Sequence, residues 1–355
     1  MEAGQLVMTG VSGFTLTEDE KDFIQSENIG GVIIFAHNYN DPAQLAELIN
    51  AIQNLRDEHP LFIAIDNEGG RVFRTRKHLT QIPAMLELSK LDSPKVVYDV
   101  HRIMAEELKL CGVNVDFAPC ADILTNPANK VIGDRSFGSD PDVVEKYVSA
   151  AIRGLQTHGV MACAKHFPGH GGTTKDSHFD LPHVKTSRAE LIEKELIPFV
   201  KASKARVEFM MMAHLQVDSI DPMLPTSLSA KAYEFLRKET KFTKIVVTDD
   251  MEMKAITDRF PTEEAAVMAL EAGADIVEYR SMSEAKRGLN GIKNAIKTKR
   301  LLNTQITEKL ERVLDCKKRN LADYKPVYIP ELQNKFNTPE SKAILKEITD
   351  KLTQE

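Results

Sequence analysis

The stretch VMACAKHFPGHGG, residues 160–172, joins two kinds of sequence with no spacer between them. Val160–Lys165 is a short, nearly continuous apolar run, the pattern of a strand buried on both faces in a parallel sheet. From His166 onward, Pro168 and three glycines permit tight turns, so the segment reads as a shaped loop rather than a helix. The same succession of apolar run and polar cluster recurs along the chain. Candidate strands are Leu6–Val11, Gly31–Ala36, Leu61–Asp66, Val113–Ala118, Val160–Lys165, Val207–His214, Lys244–Asp249 and Ala274–Tyr279.

Helix-like segments with recognisable starts lie between these runs. Asp41-Pro42 and Asp140-Pro141 read as an N-cap followed by proline at the first helical position, and Ser187 to Glu190 as a capping box. Eight strands alternating with about eight helices predict an α/β fold, a single (β/α)8 TIM-type barrel, over residues 1–320. The competing architecture is an open α/β sheet. Two features favour the barrel: no G-x-G-x-x-G follows the first strand, and the polar clusters fall directly after successive strands, where barrel enzymes carry their active sites. Residues 321–355 are expected to form a C-terminal strap, with Pro326, Pro330 and Pro339, and a short helix over Ser341–Leu352, not an independent domain.

Composition narrows the functional classes. The chain has 355 residues, 42% hydrophobic and 28% charged, which excludes disordered, collagen-like and disulfide-scaffold proteins. Forty-six Lys+Arg against 52 Asp+Glu leave a net charge of −6, a poor match for nucleic acid or an anionic membrane. Cys111, Cys120, Cys163 and Cys316 show no zinc-binding spacing and read as reduced core thiols. The N-terminal residues lack a secretory pattern, and no apolar run approaches the roughly 20 residues of a membrane span. A soluble, monomeric cytoplasmic protein is expected.

The cluster after the fifth strand is the densest, with four histidines, two aspartates and three glycines between Lys165 and His183. Its histidines have no zincin-like helical spacing except His166 and His170, which a Pro-Gly break separates, so no metal is expected. Asp176 and His178 are two apart, and a carboxylate beside an imidazole makes it a competent proton donor near neutral pH. Thr248-Asp249-Asp250 ends the seventh strand. Asp249 there is a candidate nucleophile, base or ligand, whereas Asp250 suits the cap of the next helix. Asp66 to Arg74 and Gly133 to Gly138 add carboxylates and guanidinium groups suited to a polyhydroxylated ligand. Glu68 and Arg71 could instead form an ion pair within their own turn.

The motifs IAIDNEGGRVFR, IGDRSFGSDP, KHFPGHGGTTKDSHFDLP and VVTDDMEM, with Ala213-His214 after the sixth strand, resemble glycoside hydrolase family 3. More narrowly, they are similar to single-domain bacterial β-N-acetylhexosaminidases of peptidoglycan recycling, over about Gly10 to Leu270. The resemblance implies a retaining, double-displacement glycosidase with no cofactor or metal, acting on GlcNAc-containing muropeptides or chitooligosaccharides. Asp249 matches the nucleophile, His178 the acid/base and Asp176 its partner. Asp66, Arg74, Arg135, Lys165 and His166 match sugar-binding positions, and all should meet at the C-terminal rim of the barrel.

The chain departs from the family pattern in three places. Asn67 stands where glutamine is common. The eighth strand ends in Glu278-Tyr279-Arg280, unusually polar, with Glu278 and Arg280 able to pair at the rim. There is no tryptophan, so stacking on sugar falls to Phe or Tyr. A β-glucosidase or glycoside phosphorylase of the same family, and a non-catalytic sugar-binding protein, are the alternatives. A phosphorylase would also favour histidine over a second carboxylate, because an anion must approach.

Overall fold

Strands form where fully buried apolar residues run together. They are β1 (Val7–Gly10), β2 (Gly31–Ile34), β3 (Phe62–Ile65), β4 (Val115–Asp116), β5 (Met161–Phe167), β6 (Phe209–Met212), β7 (Ile245–Asp250) and β8 (Ile276–Tyr279). The computed structural model describes residues 2–56, 58–173 and 181–354. Each strand pairs in parallel with its neighbours in chain order, and β8 returns to β1 with Thr9 opposite Tyr279, closing the barrel. The expected (β/α)8 architecture is therefore the observed one. Buried on both faces, such strands cannot show inside–outside alternation, which is why they read as continuous apolar runs.

One principal helix follows each strand: α1 (Glu18–Ser26), α2 (Pro42–Gln53), α3 (Pro94–Leu110), α4 (Pro141–Gln156), α5 (Ile197–Lys204), α6 (Ala230–Thr240), α7 (Thr262–Ala272) and α8 (Met282–Lys297). Two of the three predicted starts open principal helices. Asp41 accepts the Gln44 N–H ahead of Pro42, and Asp140 accepts those of Asp142 and Val143 ahead of Pro141. The Ser187–Glu190 capping box is also present, opening the short turn before α5. Among the described residues no helix is long and apolar enough to cross a membrane.

At the N-terminal end of the barrel, Phe62 and Phe209 meet edge to face with ring centroids 5.2 Å apart. A further helix, α9 (Asn303–Leu321), packs there, and its buried Lys317 donates to Gln5 Oε1 at 2.7 Å. The strap then crosses α2, where the Asn50 side chain donates to Val327 C=O and accepts its N–H, both at 2.8 Å. The last helix, α10 (Pro339–Leu352), starts two residues earlier than expected because Thr338 caps it with proline in the first turn. It docks on α3, with Arg102 and Glu340 paired at 3.2 Å and Ile348 buried.

Candidate active site

The C-terminal ends of the strands surround a cavity of about 540 Å³, a size typical of small-molecule sites. Asp66, Arg74, Arg135, Lys165, His166 and Asp249, singled out from sequence, all line it. Asp176 and His178 lie outside the described residues.

Asp66 follows β3 directly. The chain then forms a small antiparallel pair, Asn67–Gly69 with Val72–Phe73, that carries Glu68 and Arg74 to the cavity. The turn needs glycine: Gly69 and Gly70 have φ of 99° and 54°, and a Cβ on Gly69 would sit 2.7 Å from the Pro83 carbonyl oxygen. Asn67 braces this turn, accepting the Arg74 N–H at 2.7 Å and donating to Thr75 Oγ1 at 2.7 Å.

Lys165, at the end of β5, is buried and bridges Asp66 and Glu68 at 2.6 Å each. Arg135, from the turn Gly133–Arg135, binds both oxygens of Glu68 at 2.8 Å. Arg74 reaches Asp66 at 3.3 Å. Burial alone would raise both carboxyls. Lys165 and Arg74 outweigh it at Asp66, and Arg135 and Lys165 hold Glu68 far below the usual carboxylate range. Burial in turn opposes the Lys165 charge, but its two carboxylates keep it firmly protonated. Glu68 is thus not paired with Arg71 in its own turn; Arg71 binds Asp134 at 2.8 Å instead.

Sequence reasoning missed Asp122, the hub beneath this layer. Its carboxylate meets His166 Nδ1 at 2.7 Å and accepts the His170 N–H at 2.7 Å, with Cys120 Sγ at 3.2 Å. Against burial, the His166 ring and the His170 side hold Asp122 at about 2. The other His166 nitrogen faces an Arg135 N–H at 3.3 Å. Because guanidinium only donates, Nε2 accepts there and Nδ1 donates to Asp122. Cys120, Asp122 and His166 bring metal-capable atoms within 4.8 Å of one another, yet these atoms already bond to each other and serve to orient His166. The one signal for Asp122 was an acid inside the otherwise apolar run Phe117–Ile123.

The opposite wall comes from β7 and β8. One Asp249 oxygen accepts the Asp250 N–H at 2.9 Å. Asp250 does not cap the next helix, which Met253 precedes without a side-chain cap; it pairs with Arg280. Glu278 consequently has no pairing with Arg280 and is buried in the cavity wall. His214, after β6, donates or accepts at Ser227 Oγ (2.7 Å) and meets the Asp250 carbonyl at 2.9 Å, tying β6 to β7 below Asp249.

The sequence pattern of the glycosyl hydrolase family 3 N terminal domain matches residues 1–316. A β-hexosaminidase of Alkalilimnicola ehrlichii is 37% identical over 285 residues, covering 79% of this chain and 81% of that protein. A family 3 β-N-acetylglucosaminidase from Paenibacillus sp. superposes with a TM-score of 0.95 at 35% identity, over 99% of this chain and 68% of that one. A family 3 member from Mycobacterium smegmatis superposes at 0.82 with 32% identity, over 89% of this chain and 96% of that one.

Proposed function

The chain belongs to glycosyl hydrolase family 3, and from that premise we propose that it is a retaining exo-β-N-acetylglucosaminidase trimming terminal β-linked GlcNAc from cell-wall muropeptide-type fragments. The observation that carries this reading is the gathering of Asp249 with Asp66, Arg74, Arg135, Lys165 and His166 around one cavity. In the first step an Asp249 oxygen bonds to the anomeric carbon while the bond to the leaving oxygen breaks. His178, supported by Asp176, gives its proton to that oxygen. In the second step His178 takes a proton from water, the water oxygen bonds to the anomeric carbon, and the bond to Asp249 breaks. The ionised Asp66 and the forked Arg135 suit hydrogen bonds to sugar hydroxyls.

A retaining glycosidase usually draws its acid from a second carboxyl. Glu68 is unsuited to that role, since Arg135 and Lys165 keep it ionised, and this supports a histidine donor. Exposed Lys130 and Arg71 at the cavity mouth favour an aglycone bearing carboxylates, as muropeptides do. Four free, buried cysteines accord with a reducing compartment, and we assign the reaction to the cytoplasm. Residues 1–320 are taken as the catalytic barrel and 321–355 as its strap and helix, a division supported by the family match ending at residue 316.

The test is mass spectrometry of defined GlcNAc-muropeptide fragments incubated with the protein, with and without phosphate. Release of free GlcNAc at equal rates in both is expected, as is covalent labelling of Asp249 by a 2-fluoro glycoside. GlcNAc-1-phosphate as the product would make it a phosphorylase, and preference for a glucoside would remove the acetamido sugar from the reading.

A further inference from the structure

This inference rests on the glycosidase reading and adds a residue to its sugar subsite. Glu278, on β8, is only 2% exposed and lines the cavity, and its Oε1 has no hydrogen-bond partner among the described residues. Its main chain is held from β7: the N–H donates to Thr248 Oγ1 at 3.1 Å and the carbonyl accepts the Met251 N–H at 3.0 Å. Glu278 is buried in the cavity wall, whereas Arg71 and Lys130, which line the same cavity, are exposed.

The charges of Asp250 and Asp249 from β7 and of Asp66 after β3 oppose its ionisation, and that of Arg280 favours it. Arg280 is bound to Asp250, and Lys165 is occupied by Asp66 and Glu68. On its other side β1 offers Met8 and Thr9, which carry no charge. Burial first, then these carboxylates, push Glu278 well above the usual carboxylate range, which favours its uncharged form, an acid with one O–H to give. A buried oxygen without a partner destabilises the fold, and one in a cavity wall is open to a hydrogen bond from a ligand.

We propose that Glu278 is a specificity-determining residue whose carboxyl hydrogen-bonds an oxygen of the terminal sugar attacked by Asp249. Its burial assigns it to that sugar and not to the aglycone, which leaves through the mouth. No leaving-group acid is needed from it.

Kinetics on 4-nitrophenyl β-GlcNAc, with thermal melts, for wild type, Glu278→Leu and Glu278→Gln test this. Glu278→Leu removes both the donor and the unpartnered oxygen. KM should rise about tenfold while the melting temperature stays level or rises, opposite movements that a structural residue would not give. Glu278→Gln keeps a donor and cannot ionise, so its KM should fall between the other two. It should also lose the rise in KM expected of wild type as pH increases and Glu278 ionises beside Asp249, Asp250 and Asp66. If the leucine variant does not fold, this pH arm decides. Wild-type KM and pH profile in the variants overturn the inference alone. Loss of kcat in Glu278→Gln on natural fragments, with 4-nitrophenyl turnover retained, also overturns it, because Glu278 would then be the proton donor. Absence of wild-type turnover on any β-GlcNAc substrate overturns the glycosidase reading and the inference with it.

Discussion

The two mouths of the barrel both hold buried charge and use it differently. At the N-terminal mouth Asp275, just before β8, accepts from Arg237 at 2.9 Å, Arg312 at 2.8 Å and the Val246 N–H at 2.8 Å. Glu208, just before β6, takes Lys244 at 2.7 Å and Arg319 at 3.0 Å. Each acid there meets two cations. At the C-terminal mouth Asp66 and Glu68 are matched in the same way, but Asp249, Asp250 and Glu278 add three more carboxyls on the opposite wall, where Arg280 serves Asp250. Matched charge holds the barrel together, and carboxyls gather on one wall where the proposed reaction develops positive charge at the anomeric carbon.

The sharpest way to break this comparison is Asp249→Asn. Turnover should fall on the order of 10⁴-fold while the melting temperature holds and GlcNAc binding persists, measured by steady-state kinetics and calorimetry. A variant that loses binding and stability together would make Asp249 a structural charge like Asp275. The mirror experiment is Asp275→Ala, which strands Arg237 and Arg312. It should cost about 3–5 kcal/mol in urea unfolding and leave kcat/KM of the folded enzyme unchanged. A kinetic loss equal to that of Asp249→Asn would erase the distinction between the mouths.

Lys317 is a buried cation without a carboxylate partner at the lower mouth, and it sharpens the comparison at smaller scale. Its ammonium leans on Gln5 and lies 5.0 Å from the Phe62 ring centroid, with no carboxylate in contact among the described residues. Burial lowers its pKa from 10.5 to about 7. The unfolded chain therefore binds more protons between those two values, and stability should rise with pH across that window. Lys317→Met should stabilise the protein by roughly 1–4 kcal/mol near neutral pH, with the gain shrinking towards pH 10 in denaturant titrations. A gain independent of pH would show that packing, not charge, sets the cost.

The strands were legible in the sequence because each is an unbroken apolar run, and the helix starts because caps act over three residues. β4 is the partial exception. Its regular ladder is only Val115–Asp116, because Pro119 has no N–H to give, although Cys120 rejoins β5 opposite Lys165. The charged residues that line the cavity were legible by position, since they fall directly after the apolar runs of the strands. Their partners were not. Glu68 and Arg135 are 67 residues apart in sequence, Asp122 and His166 are 44 apart, and Arg71 and Arg280 chose Asp134 and Asp250 over their nearer candidates. Periodicity reports which way a residue faces along its own element; it carries nothing about what another element brings opposite.

Closure of the ring through β1 and β8 bears on how the chain is made. Until Tyr279 has left the ribosome, Val7–Gly10 has one neighbour in the sheet and an open edge. The contact from Lys317 to Gln5, spanning 312 residues, waits longer still. A growing chain therefore carries exposed, apolar strand edges for most of its synthesis, a state prone to mispairing with other chains. Residues 276–317 complete what the first ten residues began, so translation that stalls or ends before them should yield aggregates and not a smaller barrel.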